Sequence, residues 1–273
     1  MGQSASIMEL GLHGRACVVT GASGGIGGAT ARALATERAS LLLVGRRIEA
    51  LGEVAAQASR LGSPQVETVA VDLTTPGAAV TVVDTCLDVF SRIDVLVNNA
   101  GGTTVRRWDD LTDAEWQEQW ELNVMAPMRL MRAAAPEMAR RGWGRIVNVS
   151  SSAAKRPSGM NMAYAATKAA MLSLSRSFAD LFASDGVLVN AVTPGPIAGD
   201  AWLSDGGVAD QRAAAAGVSR DELLARVASR TPRGRLGTNE EIAAVIAFLC
   251  SQAAANVAGA AWSADGGAFA AII

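Results

Sequence analysis

A single histidine, His13, and three cysteines are all that this 273-residue sequence holds of the side chains best suited to transition metals. His13 has no partner histidine, so no metal site is expected. Cys17, Cys86 and Cys250 lie far apart in apolar patterns, which excludes a disulfide framework and a metal-binding spacing and fits buried thiols in a reducing compartment. Charge is also scarce. Only 18% of residues are charged and the formal net charge is −2, so the basic footprint expected of a nucleic-acid or anionic-membrane binder is missing. No uninterrupted apolar run approaches the ~18 residues needed to span a bilayer. The opening M-G-Q-S-A-S-I-M-E-L lacks the basic and apolar regions of a secretory leader. A soluble, cytoplasmic protein is expected. Aromatics make up 4%, while Ala and Gly are abundant within a chain that is 50% hydrophobic. That balance favours helices packed closely on a sheet.

What is present is an alternation. Short apolar runs at 16–20, 40–44, 66–71, 93–98, 146–150 and 187–192 are separated by helix-period segments at about 25–37, 48–61, 77–90, 113–140 and 161–183. Pro136 marks an expected bend or break in the long fourth segment. The strands read as continuous apolar runs, as strands buried on both faces do, so the expected fold is a doubly wound parallel α/β sheet of about seven strands in one domain over 1–273. After Thr193-Pro194-Gly195-Pro196 the pattern loosens. Residues 196–238 read as a lid with one helix near 220–229, followed by a helix at about 240–251 and a strand near 257–262.

Three features carry chemistry. Thr20-Gly21-Ala22-Ser23-Gly24-Gly25-Ile26-Gly27 joins the first strand to the first helix. Glycines there permit a tight turn and let the backbone approach a pyrophosphate seated on the helix N-terminus. At the end of the second strand, where a carboxylate would hold the ribose 2′-hydroxyl of NAD, stand Arg46 and Arg47. Guanidinium groups pair with a 2′-phosphate, which favours NADP(H) over NAD(H); the plainer alternative is two solvated arginines at a helix start. The stretch from Gly144 to Lys168 holds three serines, then Tyr164 and Lys168 one helical turn apart, about 6 Å on one face. A free phenol titrates near pH ~10, and a neighbouring ammonium is expected to bring it toward working pH. A hydroxyl, a phenol and an amine on one point suit proton transfer to or from a carbonyl or alcohol oxygen.

In these pieces the chain resembles the short-chain dehydrogenase/reductase family from end to end, and in particular its 3-oxoacyl-(acyl-carrier-protein) reductase-like members. The matching residues are Thr20-Gly21-x-x-x-Gly25-x-Gly27, Asp72-Leu73, Asn98-Asn99-Ala100-Gly101, Asn123, Ser151, Tyr164-x-x-x-Lys168, Pro194-Gly195-Pro196-Ile197 and Asp265-Gly266-Gly267. The resemblance implies a Rossmann-type fold binding NADP(H), with Ser23, Ile26, Pro194 and Ile197 beside the cofactor. It also implies Asp72 and Leu73 at the adenine and Asn99 toward the adenosine ribose. It selects Ser151, thirteen residues before Tyr164, over Ser150 and Ser152. It further implies Tyr164 as general acid/base, Ser151 as donor to the substrate oxygen, Lys168 on the tyrosine and the nicotinamide ribose, and Asn123 holding a water for proton resupply. For Asn123 the alternative is a side chain satisfying backbone groups in a helix kink.

Two departures bear on function. The threonine that relatives commonly carry two residues after the isoleucine is Gly199 here, so the nicotinamide carboxamide must be held otherwise. Asp185-Gly186 stands where carrier-protein reductases often have an arginine, and a carboxylate would repel an acidic carrier. A small, moderately apolar ketone or secondary alcohol is therefore expected, with Gly102, Ala153, Ala154, Met160, Ile197, Trp202 and Leu203 as candidate walls. Lys155 and Arg156 follow the serines closely and are read as a solvated loop tip, with contact to a substrate anion as the alternative. A carrier-bound substrate, a non-catalytic NADP-binding sensor, and dehydration or epimerisation chemistry are the alternatives. Trp116 and Trp120 share a helix face and the Tyr164 helix is lined with small residues, which suits packing between subunits; the resemblance implies a homotetramer formed through these two helices.

Overall fold

The computed structural model describes residues 9–103 and 105–270; the leader question concerns residues 1–8, which lie outside them. Seven parallel strands form one sheet in the order β3-β2-β1-β4-β5-β6-β7. They are β1 (Ala16–Thr20), β2 (Ser40–Gly45), β3 (Val66–Ala70), β4 (Val95–Asn98), β5 (Gly144–Val149), β6 (Val187–Pro194) and β7 (Ala261–Ala264). Helices α1 (Gly25–Thr36), α2 (Ile48–Arg60) and α3 (Ala78–Phe90) alternate with the first strands. The segment α4 (Asp113–Trp120) and α5 (Ala126–Ala139) leads to β5, and α6 (Met162–Phe182) to β6. The period-2 alternation of a strand sorts neighbouring side chains to opposite faces. Cys17 and Val19 join the core under α1 and α2, whereas Ala16 and Val18 join the core under α3 and α5. Burial on both faces holds for the central strands. The edge strands β3 and β7 are partly exposed instead.

Beyond β6 the lid holds α7 (Asp200–Leu203), α8 (Val208–Ala216) and α9 (Arg220–Ser229), and α10 (Asn239–Leu249) returns to the sheet. Only α9 was legible in the sequence. The Ala-rich α8 shows no apolar–polar contrast to mark its face, yet its Ala209 and Ala213 pack with Leu223 and Val227 into a small core of the lid's own. A parallel bridge from Ile197 to Gly237 closes the base of the lid, with Gly237 N–H donating to Pro196 O (3.0 Å) and Ala198 N–H to Gly237 O (2.8 Å).

Two expected features move. Pro136 does not break its helix; it sits inside α5 near the end and forgoes the one hydrogen bond its missing N–H would give to Arg132 O. The irregularity is a π-helical turn at Glu121–Met125, centred on Asn123. The last strand begins at Ala261 rather than near Val257 because Asn190 clasps the preceding loop: its Nδ2 donates to Val257 O (2.8 Å) and its Oδ1 accepts from Ala260 N–H (3.0 Å). Among the described residues no helix is long and apolar enough to cross a membrane. Cys17, Cys86 and Cys250 are buried free thiols.

Candidate active site

The strand order reverses between β1 and β4, and a doubly wound sheet opens its ligand crevice at the carboxyl ends of such strands. Gly21 turns the chain out of β1 with φ +64°, a conformation that a Cβ would strain. A Cβ on Gly27 would stand 2.3 Å from Gly21 O, so the loop folds back onto the first turn of α1 as tightly as glycine permits. Thr20 Oγ1 donates to Val97 O (3.2 Å) and accepts from the N–H groups of Asn99 and Ala100 (both 3.0 Å). Asn99 Nδ2 donates to Thr20 O (3.0 Å) and Gly21 O (3.2 Å). The loops after β1 and β4 are thus laced into one surface, a task for Asn99 that its sequence context did not reveal.

Arg46 and Arg47, the arginines expected to meet a 2′-phosphate, follow β2. Arg47 Nη2 lies 3.5 Å from Ser23 Oγ, and the positive charge of Arg46 acts on Asp72. The Asp72 carboxyl is held below its ordinary pKa chiefly by the Thr74 N–H (2.9 Å) and hydroxyl (2.7 Å), and only then by Arg46. Leu73 is buried.

At the end of β5 the three serines separate in role. Ser150 Oγ donates to Lys168 O (2.9 Å), tying the strand to α6. Ser151 Oγ accepts from Ala153 N–H (3.1 Å), which occupies a lone pair and leaves its own proton to donate. Ser152 opens the short 3₁₀ turn Ser152–Ala154. On α6, Lys168 is 3% exposed; its Nζ donates to Val149 O (2.9 Å) and stands 5.7 Å from the Tyr164 ring centroid. Burial lowers the Lys168 ammonium to a pKa of about 8. Tyr164, the single tyrosine of the chain, has its phenol raised above its ordinary value by burial, with the Ser151 hydrogen bond acting against that rise. The expected lowering by Lys168 is therefore not found in this ligand-free state. The same desolvation that weakens the ammonium also penalises a phenolate.

Asn123 is fully buried. Its Oδ1 accepts from Gly102 N–H (3.3 Å), and its Nδ2 donates to Gly102 O (3.1 Å) and Gln119 Oε1 (3.0 Å). Its side chain thus fastens the loop after β4. Its main-chain carbonyl is another matter: the residue four places on is Pro127, which has no N–H to complete the helical ladder.

Gly25, Ile26, Asn99, Ser151, Tyr164, Lys168, Pro194 and Ile197 all line one cleft of about 520 Å³. Ser23, Arg46, Arg47, Asp72 and Leu73 are not on its wall; they belong to the outer crevice after β1, β2 and β3. Of the expected substrate walls, Gly102, Ala153, Met160, Ile197 and Trp202 line the cleft, while Ala154 and Leu203 do not. Lys155 turns away, its Nζ donating to Ala261 O (2.8 Å) and Ser263 Oγ (2.9 Å). The cleft also has a polar side: Asn161, Asp200, Arg212 and Asn239, which nothing local in the sequence marks, and Arg156, which faces the cleft as the alternative to a solvated loop tip requires. A Cβ on Gly199 would come 3.0 Å from the Asn239 amide, so Asn239 occupies the space that a residue-199 side chain would fill.

A doubly wound sheet with a glycine-rich turn at the switch point, and a serine, a tyrosine and a lysine converging beside it, defines a dinucleotide-binding oxidoreductase architecture. The chain belongs to the short chain dehydrogenase family, whose model matches residues 15–205. It is 34% identical over 267 residues to the uncharacterized oxidoreductase YvrD of Bacillus subtilis (strain 168), covering 95% of this chain and 98% of that protein. It is 37% identical over 254 residues to the cis-4-hydroxycyclohexanecarboxylate dehydrogenase of Sinomonas cyclohexanicum, covering 93% and 96%. The crystal structure of L-sorbose reductase from Gluconobacter frateurii, complexed with NADPH and L-sorbose, superposes with a TM-score of 0.90 at 35% identity, over 97% of this chain and 100% of that one.

Proposed function

We propose that this protein interconverts a small-molecule ketone and its secondary alcohol using NADP(H), with Tyr164 as the proton donor and acceptor. The observation that carries the reading is the meeting of Ser151, Tyr164 and Lys168 on a cleft that runs to the glycine-rich turn. The residues present fit the cofactor. The Gly21–Gly27 approach leaves no room for a side chain where a pyrophosphate would lie, and Ser23, Arg46 and Arg47 offer hydroxyl and guanidinium donors for a 2′-phosphate. Relatives solved with NADPH or NADP bound support the same choice. When bound, NADP(H) supplies or takes up the hydride.

The chain's own groups do the rest. Ser151 Oγ, oriented by Ala153 N–H, donates a hydrogen bond to the substrate oxygen as negative charge develops there. Tyr164 passes its phenolic proton to that oxygen in reduction and removes it in oxidation. Lys168, charged below pH of about 8, keeps a cation within reach of the phenolate and would hold the nicotinamide ribose hydroxyls. Asn123 would hold a water that resupplies protons through Lys168. Asn239, beside Gly199, would offer its amide to the carboxamide in place of a threonine.

The test is NADPH oxidation, followed by absorbance across a panel of ketones, with Tyr164→Phe as control. Turnover is expected to fall at least about a thousandfold in Tyr164→Phe while NADPH affinity holds. Full turnover without the phenol would overturn the mechanism. The protein acts as a homotetramer, a reading supported by the half-exposed Trp120 and the exposed edge strand β7; a light-scattering mass of one chain would refute it.

A further inference from the structure

The lid carries six arginines, and their pairing divides them. Arg220 lies 3.4 Å from Asp210, Arg226 2.5 Å from Glu222, and Arg233 and Arg235 reach Glu241 at 2.8 and 2.5 Å. Arg212 on α8 and Arg230 at the C-terminal end of α9 have no carboxylate within 4.0 Å among the described residues. Both line a second cavity of about 720 Å³, where they meet Arg156 from the serine loop, and no acidic side chain lies on its wall. This cavity adjoins the active-site cleft: Ser152, Arg156, Ser158, Pro196 and Arg212 line both. The acidic residue lining the cleft is Asp200, which is exposed and forms no ion pair with the three among the described residues.

An unpaired surface arginine ordinarily extends into water. Arg212 is instead half-buried, 5.5 Å from the Trp202 ring, and desolvation together with the charge of Arg230 pushes its pKa down. Two cations held near each other in a concave site, with no acidic side chain among the described residues on its wall, are unfavourable until a negative group enters. We infer that the substrate carries an oxyanion, a carboxylate or a phosphate, on the side away from its reacting carbonyl, seated among Arg156, Arg212 and Arg230. This rests on the oxidoreductase reading above and gives it a substrate class: an oxo or hydroxy acid, or a phosphorylated ketone or alcohol, in place of the moderately apolar substrate expected from sequence. Planar guanidinium forks suit either anion.

Two measurements on the full chain separate the outcomes. In the first, NADPH oxidation is compared for 4-oxopentanoate against its methyl ester, and for dihydroxyacetone phosphate against dihydroxyacetone. An anionic member is expected to have a kcat/KM at least about tenfold above its neutral partner; the pair showing the preference tells carboxylate from phosphate. Arg212→Gln and Arg230→Gln are each expected to cut that advantage roughly tenfold to a hundredfold, mostly through KM. In the second, succinate and inorganic phosphate are titrated calorimetrically into the NADP⁺-bound protein, and the binding is expected to weaken by the same factor in both variants. Arg230→Gln replaces an exposed side chain and keeps the test open if Arg212→Gln folds poorly. Equal kcat/KM within each pair, binding indifferent to both substitutions, or weakened NADPH affinity in the variants would overturn the inference. If anions bind through the arginines while no compound on the panel consumes NADPH, the anion site stands and the hydride-transfer reading falls.

Discussion

Replacing Lys168 by Met is expected to make the ligand-free protein more stable while destroying its turnover. The ammonium is 3% exposed and faces one carbonyl, Val149 O at 2.9 Å. Its pKa falls from 10.5 to about 8, and the cause is burial alone. At about 1.4 kcal/mol per pKa unit, holding that charge in the folded state costs roughly 3 kcal/mol at neutral pH. Methionine fills similar volume without the charge. It leaves Val149 O unpaired, at a cost of about 1 kcal/mol, so the net gain is about 2 kcal/mol. The sign with pH follows from linkage. Between about 8 and 10.5 the unfolded chain binds more protons at this site than the folded one, so the wild type gains stability as pH rises through that window. The advantage of Lys168→Met should therefore be full below pH of about 8 and vanish above 10.5. Urea unfolding of both proteins at a series of pH values measures it. A variant less stable than wild type at pH 7, by an amount that does not change with pH, would refute the desolvation argument.

Because Tyr164 is the only tyrosine, a pH titration of phenolate absorbance reads that one side chain without background. Its midpoint in the ligand-free protein should lie above 10, and a midpoint below 9 would show that Lys168 outweighs burial. Arg46→Ala with Arg47→Ala should weaken NADPH binding roughly tenfold to a hundredfold and leave NADH binding nearly unchanged, as read by fluorescence titration; equal losses for both would remove the 2′-phosphate assignment. Gly186 and Gly217 both have positive φ, but only at Gly186 would a Cβ meet backbone, 2.2 Å from Gly142 O. Gly217→Ala should cost about 1–2 kcal/mol and Gly186→Ala about 3 kcal/mol or more, and similar urea midpoints for the two would contradict the packing argument.

Much of the architecture was legible because its signals are local. Buried parallel strands must be short apolar runs, and β1, β2 and α9 lie where those runs and helix periods put them. The turn from Gly21 to Gly27 announced itself through glycine spacing, since backbone that close to backbone tolerates nothing larger. The bend expected at Pro136 is absent, and the irregularity lies at Asn123, whose side chain satisfies backbone groups in a helix kink as the alternative reading of that residue has it. The last strand was drawn too early because Asn190, some seventy residues upstream, takes the hydrogen bonds of Val257 and Ala260.

By itself, then, the sequence determined the α/β class, the nucleotide turn, the arginines after β2 and the serine, tyrosine and lysine that face one another. Each depends on spacing along one strand, turn or helix, and such spacing is written in the chain. Only the tertiary structure decided the rest. It raised the Tyr164 phenol rather than lowering it, because burial depends on what packs around α6. It set Asn239 into the space beside Gly199, and it brought Arg156, Arg212 and Arg230 from three separate segments to one cavity with no acidic side chain among its described lining residues. Desolvation and charge pairing are properties of a surrounding volume, and neighbours in that volume are not neighbours in sequence.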